Sequence, residues 1–141
     1  ICGSPEYFKQ HGRPNKPSEL SQHNWVVYKL TSNKLALEKS GRTYTVDIKG
    51  TIKTNNATAR TAFVEGGHGL GRVPTYDAWP KIKAGRLQTV LDDYQLKAID
   101  VYGVFPPGAA TSKKLRLLID FLKQFFDQQQ ARLVTNFNSS P

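Results

Sequence analysis

The chain has 141 residues, a net charge of +9 and 38% hydrophobic residues, with a mean hydropathy of −0.49. These values suit one soluble domain long enough to bury a core. Its single cysteine, Cys2, excludes an intrachain disulfide and a cysteine-built metal site, and fits a reducing compartment.

No apolar run approaches the roughly 20 residues of a membrane-spanning helix, and no secretory leader pattern opens the chain. With no methionine and a start on Ile1-Cys2-Gly3, the sequence is expected to be cut from something longer. The 20 basic residues outnumber the 11 acidic ones, which raises the question of nucleic acid. They are dispersed, however, and the densest cluster, Lys113-Lys114-Leu115-Arg116, opens an amphipathic helix. No helix-turn-helix, zinc-finger spacing or aromatic RNA-binding signature accompanies it. A solvated basic surface is the commoner explanation.

In chain order, Ile1-Cys2-Gly3 reads as the end of a strand, and Ser4-Pro5 opens a helix with serine as cap and proline at the first position. Tyr7 and Phe8 face inward and His11-Gly12 ends the turn. Pro17 to Leu20 starts a short helical turn ending near His23. Trp25 to Tyr28 is a strand; Lys34 to Lys39, Thr43 to Lys49 and Thr51 to Thr54 are extended. Ser40-Gly41 marks a hairpin and Gly50 a bend or bulge. Alternation of Tyr44, Val46 and Ile48 gives that ribbon one buried face.

The stretch 53–86, KTNNATARTAFVEGGHGLGRVPTYDAWPKIKAGR, carries most of the functional information. It reads as strand end, polar turn, helix, glycine turn, strand and helix. Asn55 or Asn56 caps a helix from Ala57 to Glu65, on which Ala59, Ala62, Phe63 and Gly66 fall at helical spacing. Gly66-Gly67 ends it. Leu70 to Val73 is a short buried strand, stopped by Pro74, with Thr75 a candidate cap for the next segment. Tyr76, Trp79 and Ile82 fall roughly on one side of that segment, and Pro80 predicts a break or a fresh helical start. A helix that starts where a strand ends places free N–H groups at the carboxyl edge of a sheet, where anions bind in open α/β folds. Asn55, Asn56 and Ala57 are therefore candidate ligands of a small anion; the same residues also fit an ordinary asparagine cap with nothing bound.

Gly85-Arg86-Leu87 leads into a strand near Gln88 to Val90, followed by the loop Asp92-Asp93-Tyr94. Ile99 to Phe105 has strong β character and Pro106-Pro107-Gly108 stops it. Ser112 caps the longest helix, which runs to Phe126. Leu115, Leu118, Ile119, Leu122, Phe125 and Phe126 form its apolar stripe, widened by Leu117 and Phe121. So broad an arc requires a partner, either missing chain or a second copy. Residues 127–141 read as a frayed tail. No nucleophile, base or metal set is visible: His11, His23 and His68 are scattered, and the glycine run lacks the lysine of a phosphate loop.

Gly67-His68-Gly69-Leu70-Gly71-Arg72-Val73-Pro74 resembles the G-x-G-[IL]-A-R-[LV]-P signature of the effector-binding domain of LysR-type transcriptional regulators. Asn55-Asn56-Ala57 sits where that family often has Asn-Asp-Gly. Cys2 to Phe8, His11 to Pro14, Pro17 and Leu20 resemble its ASPAYLxxHGRPxxPxxL segment, and Ala84 to Leu87 its AGRL step. The likeness covers residues 1–126 in ordered, nearly gapless spacing.

The resemblance implies a periplasmic-binding-protein-like (type II) α/β lobe with a mixed, mostly parallel sheet. Residues 1–98 would be the second lobe of a two-lobe domain, and 99–126 a strand and helix returning to the first. It implies no catalysis, no cofactor and no metal. The expected ligand is a small-molecule effector held between lobes at Asn55, Asn56 and Ala57, with Ser4, Arg72, Val73 and Pro74 as further candidates. It implies a cytoplasmic homo-oligomer, dimer or tetramer, that meets DNA through an N-terminal helix-turn-helix outside this chain and has no membrane partner. A stand-alone solute-binding protein of the periplasmic-binding type is the alternative.

Overall fold

A computed structural model describes residues 1–29, 32–98, 102, 104–106 and 112–138, with side chains described as far as Gln128. The chain forms two compact units, residues 1–98 and 99–141.

In the first unit, β1 (Cys2–Gly3) is followed by α1 (Pro5–His11) and a 3-10 helix (Pro17–Gln22). Then come β2 (Asn24–Tyr28), β3 (Lys34–Lys39), β4 (Arg42–Asp47) and β5 (Lys49–Thr54). After these follow α2 (Ala57–Glu65), α3 (Thr75–Lys83), β6 (Gln88–Thr89) and β7 (Gln95–Leu96). The serine cap of α1 forms as expected: Ser4 Oγ accepts from the Tyr7 amide at 3.2 Å. Ser40 and Gly41 make the hairpin with φ of 51° and 74°.

β2 pairs with β5 in parallel, and β1 with β6 antiparallel. The expected strand at Leu70 to Val73 shrinks to two single bridges, Trp25 to Leu70 in parallel and Cys2 to Gly71 antiparallel. Short as it is, this segment joins the two ladders into one sheet. Val26 donates to Leu70 O and Leu70 to Asn24 O, both at 2.8 Å; Cys2 and Gly71 exchange both bonds at 2.9 Å. A separate antiparallel ribbon has the order β4-β3-β7, and the sequence gives no strand signal at β7. The sheet structure is mixed, but not mostly parallel: among the described ladders only β2·β5 is parallel. The β3–β4 hairpin is antiparallel because its Ser40-Gly41 turn is too short for the crossover that parallel pairing needs.

Alternation along β2 divides the core. Trp25 and Val27 face a cluster with Tyr7, Phe8, Leu20, Leu35 and Leu37, while Val26 faces one with Cys2, Val64, Ala78 and Leu87. Trp25 Nε1 donates to Leu20 O at 2.9 Å, so the buried indole is satisfied. In the ribbon Val46 and Ile48 are buried, but Tyr44 is exposed, its ring edge-on to Tyr94 at 5.7 Å.

The helices depart from expectation in orientation more than in position. α2 buries Arg60, Thr61 and Val64, while Ala62 and Phe63 face solvent. The contact that orients it is Val64 over Gly71: a Cβ on Gly71 would lie 2.5 Å from Val64 Cγ2. α3 starts after Pro74 as cap, with Thr75 already helical, and runs unbroken through Pro80. Pro80 is exposed, so water can meet the carbonyl its ring leaves unbonded, and the Asp77–Lys81 pair at 3.2 Å spans the position. Steps of three residues drift by about 60° around a helix. Tyr76 therefore leaves the side of Trp79 and Ile82 and is 72% exposed.

In the second unit α4 (Lys113–Asn138) continues past Phe126, where a tail was expected. The run Gln128 to Leu133 contains only good helix formers, and no glycine or proline intervenes before Asn138. The Arg116 amide bonds Ser112 O at 3.0 Å, so the helix begins at the expected serine. Leu118, Leu122, Phe125 and Phe126 are exposed, as are Leu117 and Phe121; Leu115 and Ile119 are half-buried. The strand expected over 99–105 falls largely outside the described residues, as do Pro107 and Gly108; Tyr102, Val104 and Phe105 are exposed and in no strand.

Between Asn24 and Val26 the β2·β5 register shifts, which places a bulge at Gly50. A Cβ there would lie 1.7 Å from Trp25 O, so Gly50→Ala is expected to destabilise by about 2–4 kcal/mol. Urea unfolding checks this; an unchanged midpoint contradicts it. A second expectation concerns pH. Tyr7 Oη meets His23 Nδ1 at 3.2 Å, and burial, then the nearby His11, hold the His23 imidazole below its ordinary pKa. The unfolded chain takes up that proton first, so stability is expected to fall as pH drops through about 6.5 and to level off below the folded-state value. Unfolding midpoints from pH 7.5 to 5.5, as roughly the interval of histidine titration, should slope in the parent and flatten in His23→Gln; equal slopes contradict it.

Candidate functional site

Because β2, β5 and the segment around Leu70 run in the same direction, their carboxyl ends reach one edge of the sheet. Tyr28 and Thr54, the last residues of β2 and β5, are paired there. Arg72, Val73 and Pro74 continue the third segment toward the same edge. Both α2 and α3 begin at this edge, immediately after Thr54 and Pro74. Two helix N-termini with their free amides and partial positive charge thus converge where three strand segments end.

Of the two asparagines, Asn56 is the cap of α2. Its Oδ1 accepts from the Ala59 amide at 2.9 Å, and its own amide donates to Thr54 Oγ1 at 3.1 Å. Asn55 and Asn56 are exposed and Ala57 is half-buried. Among the described residues no group accepts from the Ala57 or Thr58 amides. α3 lacks a side-chain cap. Its first turn carries Asp77, which accepts from Thr61 Oγ1 at 2.5 Å and from Lys81 Nζ at 3.2 Å, tying α3 to α2. Val73 packs against the second core cluster, which leaves Arg72 as the charged member of that triplet.

Ser4 does not join this group. β1 runs against the Leu70 segment, so Ser4 leaves the sheet at the opposite edge, beside Gly67. It is buried and committed to capping α1. That opposite edge is a structural seam. Asn24 Nδ2 donates to His68 O at 2.6 Å and to Thr51 Oγ1 at 3.2 Å, and Asn24 Oδ1 accepts from the Thr51 amide at 3.1 Å. His68 is exposed there, its ring edge-on to Phe63 at 5.7 Å.

Arg60 is the residue that sequence reasoning missed. It is only 7% exposed, its guanidinium stands 5.1 Å from the centre of the Tyr28 ring, and among the described residues its Nε has no hydrogen-bond partner. Burial pushes its pKa below the usual arginine value and Arg72 adds to this, while Tyr28, Tyr76 and the Asp77 carboxylate oppose it. The available signal was spacing: Arg60 lies one turn before Val64, on the stripe that must face the sheet once Val64 is core. Among the described residues no group of three histidine, cysteine or acidic side chains could hold a metal. The arrangement suits noncovalent recognition of negative charge.

Comparison with known proteins agrees with the geometry. The family described as the LysR substrate binding domain matches residues 1–127. The HTH-type transcriptional regulator DmlR of Escherichia coli K12 is 28% identical over 89% of this chain and 42% of its own length. The transcriptional activator TtdR of the same strain is 26% identical over 92% of this chain and 42% of its length. The chain therefore spans about two-fifths of the curated relatives it matches. Full-length AphB, the Vibrio cholerae virulence activator, superposes with a TM-score of 0.74 at 25% identity, over 88% of this chain and 43% of that one. CrgA of Neisseria meningitidis shares the fold, with a TM-score of 0.66 at 22% identity over 86% of this chain and 42% of that one. These homologues are transcriptional regulators, not enzymes, and the mixed α/β fold is that of their periplasmic-binding-protein-like regulatory domain. The chain belongs to the LysR substrate binding domain family.

Proposed function

We propose that this chain is the effector-sensing part of a LysR-type transcriptional regulator and receives a small anionic metabolite at Asn55, Asn56, Ala57 and Arg72, beside Val73 and Pro74. The observation that carries the proposal is the convergence of the N-termini of α2 and α3 with the ends of the parallel segments. Each terminus favours an anion by about 0.3–1 kcal/mol at an exposed site. In this reading residues 1–98 form the second lobe of the sensor, and the chain from 99 onward returns toward a first lobe. The exposed apolar side of α4, including Leu118, Leu122, Phe125 and Phe126, is then covered by that lobe or by another subunit of a homo-oligomer.

A ligand clamped between lobes moves their equilibrium only by its differential affinity for the two arrangements. The regulator would work in the cytoplasm and meet DNA through a helix-turn-helix outside this chain. Family membership supports this reading.

Titrating a library of common metabolites into the chain while following backbone amides by NMR tests the site. Binders are expected to move Asn56, Ala57 and Thr75 first. Binding confined to Ser4, Asn24 and His68, at the opposite edge, would overturn it.

A further inference from the structure

An arginine buried beside a second arginine, with an unbonded nitrogen, is costly unless something compensates its charge. Arg60 is more than nine-tenths buried and its Nε is unpartnered among the described residues. The nearby acid, Asp77, already has both carboxylate oxygens engaged, by Thr61 and Lys81. Side chains of a helix lean toward its N-terminus, and the Arg60 guanidinium accordingly stands over Tyr28, the last residue of β2. The guanidinium thus lies at the edge where α2 begins, with Arg72 on the adjoining segment.

We infer that Arg60 is the charge-reading residue of the site, and that the effector it receives carries a carboxylate. This rests on the ligand-sensing reading above and narrows it to one chemical class and one side chain. Nε itself is enclosed by the fold, so the two Nη groups at the outer end of the guanidinium present the parallel N–H donors that match the two oxygens of a carboxylate. The Tyr28 ring holds the guanidinium plane in place on one side. Arg72 adds a second positive charge, and the α2 amides of Ala57 and Thr58 supply further donors at the same edge. A neutral ligand of the same shape would bring no charge to the guanidinium, so discrimination falls on charge.

The test uses the whole chain, with succinate and benzoate as carboxylate probes, succinamide and benzamide as their neutral counterparts, and inorganic phosphate as a competing anion. The Arg60 Nε–Hε resonance is followed together with the Asn56 and Ala57 amides. Saturable shifts of all three with the carboxylates are expected, with binding at least about tenfold tighter than that of the amides, the factor that one charge-assisted hydrogen bond supplies. Arg60→Met is expected to remove the preference, and Arg60→Lys to restore part of it. Because the unsubstituted chain gives the Nε–Hε readout directly, a variant that fails to fold leaves the test intact. Equal binding of acids and amides at Asn56 and Ala57, with Arg60 unmoved, would overturn this inference and leave the sensing site standing. Tighter binding of phosphate than of either carboxylate would overturn the carboxylate assignment. Shifts confined to the opposite edge would overturn both.

Discussion

The two bridges made by Leu70 and Gly71 hold the first unit together. Without them, β1 with β6 and β2 with β5 would be separate pairs of strands. Four backbone hydrogen bonds join them, each contributing about 0.5–1.5 kcal/mol net. Their position matters more than their sum, because the segment also fixes where its neighbours lie. Leu70 is fully buried in one core cluster, and Gly71 admits Val64 of α2 against the other face. Arg72 and Pro74 emerge directly beyond it, so the same few residues that close the sheet also place one arginine and the start of α3 at the binding edge.

That dependence explains which parts of the structure were legible in the sequence. Caps and turns follow from local chemistry, so the Ser4 cap, an asparagine cap at Asn55 or Asn56, the Ser40-Gly41 hairpin and a bend or bulge at Gly50 were readable. Family spacing carried the fold class. Facing was less readable. The composition of α2 offers Ala59, Ala62 and Phe63 as an apolar side, but contact with Gly71 turns Val64 inward and takes Arg60 with it. A buried arginine in a helix of small residues gives no signal until that rotation is known.

The candidate site residues divide by the same logic. Asn56, Ala57 and Arg72 share an edge because their parent strands run parallel; Ser4 is excluded because β1 runs the other way. Strand direction is a tertiary property, set by partners distant in sequence, so a motif-based list could not separate them. Separation of roles follows from it. One edge is occupied by the Asn24 network, with its polar groups bonded to Thr51 and His68. At the other, among the described residues, no group accepts from the first amides of α2, and the Arg60 guanidinium stands over Tyr28.

Hydrogen exchange of individual amides tests the dependence on the Leu70–Gly71 segment most directly. The Cys2, Val26, Leu70 and Gly71 amides should be among the slowest to exchange and should open together, since two of the bonds tie the segment to β2 and two tie it to β1. Rapid exchange at Val26 and Gly71 while the β3–β4 hairpin stays protected would contradict it: the ribbon would then be the stable part, and the binding edge would not depend on that segment.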